Sequence, residues 1–308
     1  MQIDKSVTEL SFSTTRQLAR KLEISRRNIA ATPGARLRLR DTVGRLGEGG
    51  LRLSTALPAD GHDTVSSPEP LISVITVVRN GAVPLEETIR SVLEQTYGMV
   101  EYILIDGGSS DGTLDVINKY QGAIDYWVSE PDRGLYDAMN KGISLAGGKW
   151  LSFMNAGDAF HSRSTLSTLA SKEFDSEHLF YYSDVELKGV RGAGTATIHR
   201  CDHERRILNH QACVYAKELH SRHGNYLVAK GVTISDYLFF CLLDSSTFKK
   251  TGNIIARYDT SGVSQARRSM EQKFVIDYLL GRSTRLSFLA HLNFYHYYLR
   301  LRRWIARP

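Results

Sequence analysis

Apolar and polar positions change texture abruptly at Leu71. From there Leu71-Ile72-Ser73-Val74-Ile75-Thr76-Val77-Val78 is a nearly continuous β-branched run, the pattern of a strand buried on both faces of a parallel sheet. Arg79-Asn80-Gly81 ends it. Pro84-Leu85-Glu86-Glu87 then opens a helix predicted to reach Gln95, because proline and carboxylates suit a first turn. The alternation repeats with a strand over Glu101–Asp106, a glycine-serine turn, and a helix from a capping Asp111 to Tyr120. A third unit pairs Tyr126–Ser129 with a helix over Gly134–Leu145, and Lys149–Met154 is a fourth strand. This spacing predicts an α/β fold with a parallel, right-handed sheet, whose ligands bind beyond the carboxyl ends of the strands. The loops at 79–83, 106–111, 130–134 and 155–160 are therefore the ones that can carry function. Past Phe160 the rhythm loosens to a strand over Leu179–Ser183 and helices over Thr233–Leu243, Glu271–Leu280 and Leu286–Ile305.

Three regions follow. Residues 1–70 are rich in Ser, Thr, Arg and Gly and close on Ser66-Ser67-Pro68-Glu69-Pro70. They read as a largely flexible extension with one short helix around Thr15–Leu22. Residues 71–244 form the α/β domain, and residues 245–308 a helical, basic, amphipathic tail.

Charge sharpens this division. The net +6 is uneven: residues 245–308 hold 12 Lys and Arg against 3 Asp and Glu, while residues 71–244 hold 22 acidic against 16 basic side chains. The basicity lies away from the sheet, and no zinc finger, RNP motif or zipper is present, so nucleic acid is not an expected partner. In the tail, Phe288, Leu289, Phe294, Tyr298 and Trp304 interleave with Arg282, Arg285, Arg300, Arg302 and Arg303. That mixture suits a helix lying at a membrane interface, the alternative being a helix packed on the domain with a solvated arginine face. No stretch reaches the ~20 apolar residues needed to span a bilayer, and the start of the chain lacks a signal-peptide core. Cys201, Cys213 and Cys241 have no metal-ligand spacing and read as free thiols of a reducing compartment. The expected location is cytoplasmic, peripheral at the inner face of the membrane.

Two loops hold candidate chemistry. Asp106-Gly107-Gly108-Ser109-Ser110-Asp111-Gly112-Thr113 joins a strand to a helix N-terminus, where glycines allow close backbone approach and an anion is favoured. Alone it is a weak signal, and capping by Asp111 explains it. No GxGxxG follows a strand, which argues against a nicotinamide-dependent dehydrogenase. In Asn155-Ala156-Gly157-Asp158 the acid either caps the next element or ligates a divalent cation on a diphosphate.

The order of the motifs adds specificity. From Pro70 to Phe160, and more loosely to Ser264, the chain resembles family 2 glycosyltransferases, most nearly those that build bacterial colanic acid, capsule and O-antigen repeats. The resemblance is carried by Ile72–Asn80, Ser91-Val92-Leu93-Glu94-Gln95-Thr96-Tyr97, Asp106–Thr113, Asp132-Arg133-Gly134-Leu135-Tyr136-Asp137-Ala138-Met139-Asn140-Lys141-Gly142 and Asn155–Asp158. It implies a GT-A fold, Rossmann-like with a mainly parallel sheet flanked by helices. It also implies inverting transfer of a sugar from a nucleotide diphosphate sugar to a saccharide or polyprenyl-linked acceptor, with Mg²⁺ or Mn²⁺. Thr76, Val78, Asn80 and Asp106 would border the nucleoside, with Arg133 and Asn155 also on the donor. Asp158 would be the metal-binding aspartate, and His210 and Gln211 would line the acceptor or diphosphate site. Asp236 would be the catalytic base, with Asp184 in reserve.

The chain departs from that pattern twice. Gly107 stands where many relatives have a second aspartate, leaving uridine or guanosine donors open, and Asn155 and Gly157 are neutral where relatives carry acids. Two rivals remain. A sugar nucleotidyltransferase should have a glycine-rich loop with a catalytic Lys or Arg after the first strand, of which Arg79-Asn80-Gly81 is a poor version. A degenerate, non-catalytic binding module would fit the thin acidic loop.

Overall fold

The computed structural model describes residues 38–53, 69–188, 197–260, 267–291 and 293–294. The first strand expected from sequence is β2 (Ile72–Val78), preceded by β1 (Gly47–Gly49) and followed by α1 (Ala82–Leu93), β3 (Val100–Asp106), α2 (Thr113–Tyr120), β4 (Tyr126–Ser129), α3 (Leu135–Leu145) and β5 (Trp150–Phe153). All seven residues of β2 and all seven of β3 are buried, the polar Ser73, Thr76, Glu101 and Asp106 included. β2 lies at the centre, parallel to β3 and β5, and β3 is parallel to β4. Leu85, Ile89 and Val92 of α1 are in the core cluster with these strands. Pro84 falls in the first turn of α1, where a missing N–H is harmless. Register sets the site: Val78 is opposite Asp106, and Asp106 opposite Ser129, so three loops leave the sheet at one level.

After β6 (Ala159–Phe160) and the short α4 (Thr165–Thr168) come β7 (Phe180–Tyr182), β8 (Val185–Lys188), β9 (Thr197–His199) and β10 (Cys213–Ala216). Then follow α5 (Glu218–His223), α6 (Ser235–Leu242), β11 (Phe248–Lys250), β12 (Ala256–Asp259) and α7 (Arg267–Leu279). Among the described residues the main sheet runs β1-β4-β3-β2-β5-β10-β7-β11, and β6-β12-β8-β9 form a smaller one. β10 is antiparallel to both β5 and β7.

The described sheets reach past both boundaries drawn from sequence. Residues 38–53 are not a loose extension, because β1 (Gly47–Gly49) closes the sheet edge antiparallel to β4. A methyl group on Gly49 would stand 2.6 Å from Trp127 Nε1, so a residue without a side chain is what lets the strand dock there. The next turn buries Leu51 and Arg52, and the Arg52 guanidinium pairs with Glu101 of β3 and donates to the Leu145 carbonyl at 3.0 Å. At the other boundary, β11 and β12 belong to the two sheets, so the fold continues past residue 244 to Asp259. The helix expected at Thr15–Leu22 and the tail beyond residue 294 lie outside the described residues.

Candidate active site

The loops after β2 and β3 are stitched together. Asn80 has φ 52°, a left-handed conformation that asparagine tolerates. Its backbone N–H donates to Ser109 Oγ at 2.7 Å, and its side-chain Oδ1 accepts from Ser110 N–H at 2.9 Å. Asp111 accepts from the N–H groups of Thr113 and Ala82, at 3.1 and 3.2 Å, and so caps two helices at once. Asp106 is fully buried; it accepts from Ser109 N–H and Oγ and from Ser129 Oγ at 2.5 Å. Its carboxylate braces the loops from below. Thr76 is also fully buried and donates to the Met154 carbonyl at 2.7 Å, so its hydroxyl is committed to the core. Val78 is buried at the strand end. Arg133 is exposed and pairs with Asp137 at 2.8 Å.

The carboxylate set against Gly107 is Asp132. A methyl group built on Gly107 would overlap Asp132 Oδ2 and lie 3.5 Å from Arg79 Cβ. Asp132 is half-buried, its other oxygen accepts from Gly134 N–H at 2.8 Å, and burial raises its pKa above the ordinary carboxylate value.

The loop after β5 shows the same substitution of place. Thr88 of α1 fixes it, donating to the Asp158 carbonyl at 2.7 Å and accepting from Gly157 N–H at 3.0 Å. Asp158 is only 3% exposed; it accepts from Asp259 N–H at 2.9 Å and is hydrogen-bonded by Gln211. Burial pushes its pKa up to about 7. The metal-ligand role that the resemblance implied for Asp158 thus falls on an enclosed carboxylate. Gly157 has φ 102°, and a methyl group there would stand 2.9 Å from Asp259 Oδ2, so a half-buried acid from β12 occupies the side-chain space of the glycine. Lys188 Nζ reaches the Gly157 carbonyl at 2.9 Å. Asn155 Oδ1 is buried without a hydrogen-bond partner among the described residues. No group of three His, Cys, Asp or Glu side chains among the described residues is arranged to hold a metal ion.

Asp236 opens α6, where the helix N-terminus favours a carboxylate. Its side chain is 26% exposed, and Tyr136 Oη of α3 donates to Oδ1 at 2.6 Å. On its other side His210 Nδ1 lies 3.8 Å from Oδ2. His210 and Gln211 form one 3-10 turn that leads into β10, so one residue of the turn faces Asp236 while the next reaches Asp158. Asp184, the reserve base, is spent on Lys250 Nζ at 2.6 Å and Cys201 N–H at 2.8 Å, which hold its pKa low despite burial.

His210 and His220 are buried in an aromatic cage with Phe153, Tyr215, Tyr226 and Phe239, and burial pushes both pKa values down to about 4. Between 4 and the ordinary 6.5 an unfolded chain binds protons that the folded chain refuses. Stability is therefore complete above about pH 6.5 and falls with acidification, by up to about 1.4 kcal/mol per pH unit for each histidine. His220→Gln is expected to make that fall shallower in urea titrations from pH 7 to pH 4. An unchanged slope would mean that His220 is not held neutral.

Residues 73–185 match the family model for Glycosyl transferase family 2. Over 208 residues the chain is 31% identical to an uncharacterized glycosyltransferase of Mycobacterium tuberculosis, covering 64% of this chain and 78% of that protein. The chain belongs to glycosyltransferase family 2. Two solved structures share the fold at low identity. One is Staphylococcus aureus TarS 1–349 in complex with UDP-GlcNAc, with TM-score 0.55, 16% identity, and coverage of 68% of this chain and 65% of that one. The other is the mannosyltransferase PcManGT of Pyrobaculum calidifontis in complex with GDP-Man and Mn²⁺, with TM-score 0.52, 14% identity, and coverage of 92% and 79%. The fold is GT-A, as the sequence motifs implied.

In this glycosyltransferase the structure brings Asn80, Asp106 and Val78 to one level of the sheet, and Asp158, Gln211, His210 and Asp236 into one connected group. It leaves Thr76 in the core and Arg133 outside. Sequence reasoning did not place Asp132, Asp259 or Tyr136 among the candidate site residues, yet they lie against Gly107, Gly157 and Asp236. The first two are signalled only by glycines, at 107 and 157, whose vacated space another strand end or loop fills. Tyr136 sat within a quoted motif, but its partner is 100 residues away.

Proposed function

We propose that this enzyme transfers a sugar, with inversion, from a nucleotide diphosphate sugar to a saccharide or lipid-linked acceptor. The observation that carries the reading is Asp236: a partly exposed carboxylate at a helix start, fixed by Tyr136 Oη at 2.6 Å and free to accept a proton on Oδ2. The acceptor hydroxyl loses its proton to Asp236 as its oxygen attacks the anomeric carbon, and the nucleoside diphosphate departs from the opposite face. A bound divalent cation would supply positive charge to that diphosphate as a Lewis acid. Asp259, set against Gly157, is the acid of this chain that would hold it, in place of the enclosed Asp158. The Mn²⁺ complex of the mannosyltransferase neighbour supports this part of the reading.

Asp132 serves the nucleoside. Its Oδ2 lies over Gly107 at the common level of the β2, β3 and β4 loops, with Arg79 beside it, and can accept from a base N–H or a ribose hydroxyl. Asp132→Ala is expected to weaken UDP or GDP binding roughly tenfold or more by calorimetry. Gly107→Asp alone should also weaken binding, by overlap with Asp132, and Gly107→Asp combined with Asp132→Ala should recover it. Loss in the double variant equal to the sum of the singles would end this assignment.

Turnover against a panel of UDP-, GDP- and dTDP-sugars, with and without Mg²⁺ or Mn²⁺, tests the whole. One donor turning over supports transfer; nucleotide binding without turnover of any donor would favour a non-catalytic binding module. The acceptor side belongs to a membrane surface. Residues 285–291 are helical and Leu286, Leu289 and Phe294 are exposed, with Arg282 and Arg285 close by in sequence. Among the described residues no helix is long and apolar enough to cross a membrane.

A further inference from the structure

Behind Asp236 runs a hydrogen-bonded file of buried polar groups. His210 Nδ1 lies 3.8 Å from Asp236 Oδ2, and His210 Nε2 is 3.0 Å from Tyr226 Oη. Tyr226 Oη is 2.5 Å from Tyr215 Oη, which is 3.1 Å from His220 Nε2. His220 Nδ1 ends the file 3.1 Å from the Gly224 carbonyl. His210, Tyr215, His220 and Tyr226 are all 6% exposed or less.

Both ends of this file, a carboxylate and a carbonyl, can only accept. Between them are five links. Each neutral imidazole and each phenol supplies one proton, so four protons serve five links and one link must go without. The distances say which. Separations of 2.5–3.1 Å are hydrogen bonds, and 3.8 Å is too long to be one. The Gly224 carbonyl fixes His220 as the Nδ1–H tautomer. Tyr215 then donates to His220 Nε2, Tyr226 donates to Tyr215, and His210 donates from Nε2. The His210 Nδ1 lone pair is thereby left facing Asp236 Oδ2. The reverse polarity would put two acceptors face to face at 3.1 Å beside Gly224, the less favourable place for the gap.

We infer that this file is a proton-accepting device, one proton short at rest, and that His210 is a positioning residue which stabilises Asp236 once it is protonated. This rests on Asp236 being the base. The acceptor O–H bond breaks as its oxygen bonds to the anomeric carbon. The anomeric carbon–oxygen bond to the diphosphate breaks with its electron pair leaving on the diphosphate. The proton goes to Asp236 Oδ2, where, once the 3.8 Å gap draws in to hydrogen-bond distance, it fills the fifth link to His210 Nδ1. Other groups that feel this charge are Tyr136 of α3, which donates to the other carboxylate oxygen, Cys213 and Tyr215 of β10, and Tyr226; Lys217 acts on His220.

The test is nitrogen-15 histidine NMR on the full chain at pH 8, with a pH–rate profile for each variant. Wild type should show the Nε2–H tautomer at His210 and the Nδ1–H tautomer at His220, each assigned by the peak lost in His210→Gln or His220→Gln. Tyr226→Phe releases the His210 proton, which should move to Nδ1 and donate to the ionised Asp236. The acid limb of kcat should then shift to lower pH by about one unit, and kcat at pH 7 should fall severalfold, by no more than about tenfold, with donor KM unchanged. Tyr215→Phe breaks the same file one link further in and gives the same readout should Tyr226→Phe fold poorly. An Nδ1–H tautomer at His210 in wild type overturns the inference. So does a kcat that falls equally at every pH without movement of the limb. If Asp236→Asn retains turnover while the tautomers are as expected, the base assignment has failed and the device is not catalytic. Wrong tautomers with an inert Asp236→Asn sink the device alone.

Discussion

Asp236→Asn is expected to bind the donor as tightly as wild type and to lose roughly 10²–10⁴ in transfer rate, the range that a positioned general base contributes. The amide preserves size, and its carbonyl can still accept from Tyr136 Oη, so α3 and α6 stay registered. What it cannot do is take the proton of the acceptor hydroxyl. Donor affinity by calorimetry and kcat with acceptor separate the two effects, and a loss of donor affinity equal to the loss of rate would point to misfolding or a binding role. Retained turnover would return attention to Asp184, but that carboxylate already holds Lys250 and the Cys201 N–H.

The parallel half of the fold was legible because its signals are local. The seven-residue buried strands and caps such as Asp111 read correctly, with boundaries moving by one or two residues. In the antiparallel half β7 was anticipated, as the strand over Leu179–Ser183, but β10 was not, since it is only Cys213-Val214-Tyr215-Ala216 and gains its identity from β5 and β7 rather than from a pattern of its own. The site divides in the same way. Asp236 and His210 were named through the family resemblance, and they lie 3.8 Å apart. Asp106 and Asp158 were also found, yet both are enclosed, because an acid at a strand end can equally be a brace for the loop above it. The acids that meet the surface there, Asp132 and Asp259, come from elsewhere in the chain, and no spacing rule links them to Gly107 and Gly157.

The largest effect on stability should come from a residue that sequence reasoning placed outside the domain. Arg52 is 4% exposed and Glu101 6%, and their pair lies between the docked segment and the amino end of β3. Glu101 also accepts from Ser73 Oγ and from Gly147 N–H at 2.8 Å, so it ties β2, β3 and the turn before β5 to the same cation. Arg52→Ala leaves that carboxylate buried without its counter-charge and strips the Leu145 carbonyl of a donor. Removing one partner of a buried pair costs about 3–5 kcal/mol, whereas replacing both with apolar groups can be nearly neutral. Denaturant unfolding of Arg52→Ala should therefore show a loss in that range, and Arg52→Met with Glu101→Leu a smaller one. Were residues 38–53 a loose appendage, Arg52→Ala would cost no more than the ~0.5 kcal/mol typical of surface changes. The size of the loss thus decides whether the catalytic fold begins at Leu71 or some thirty residues earlier, with β1 closing the edge beside the β4 loop that carries Asp132.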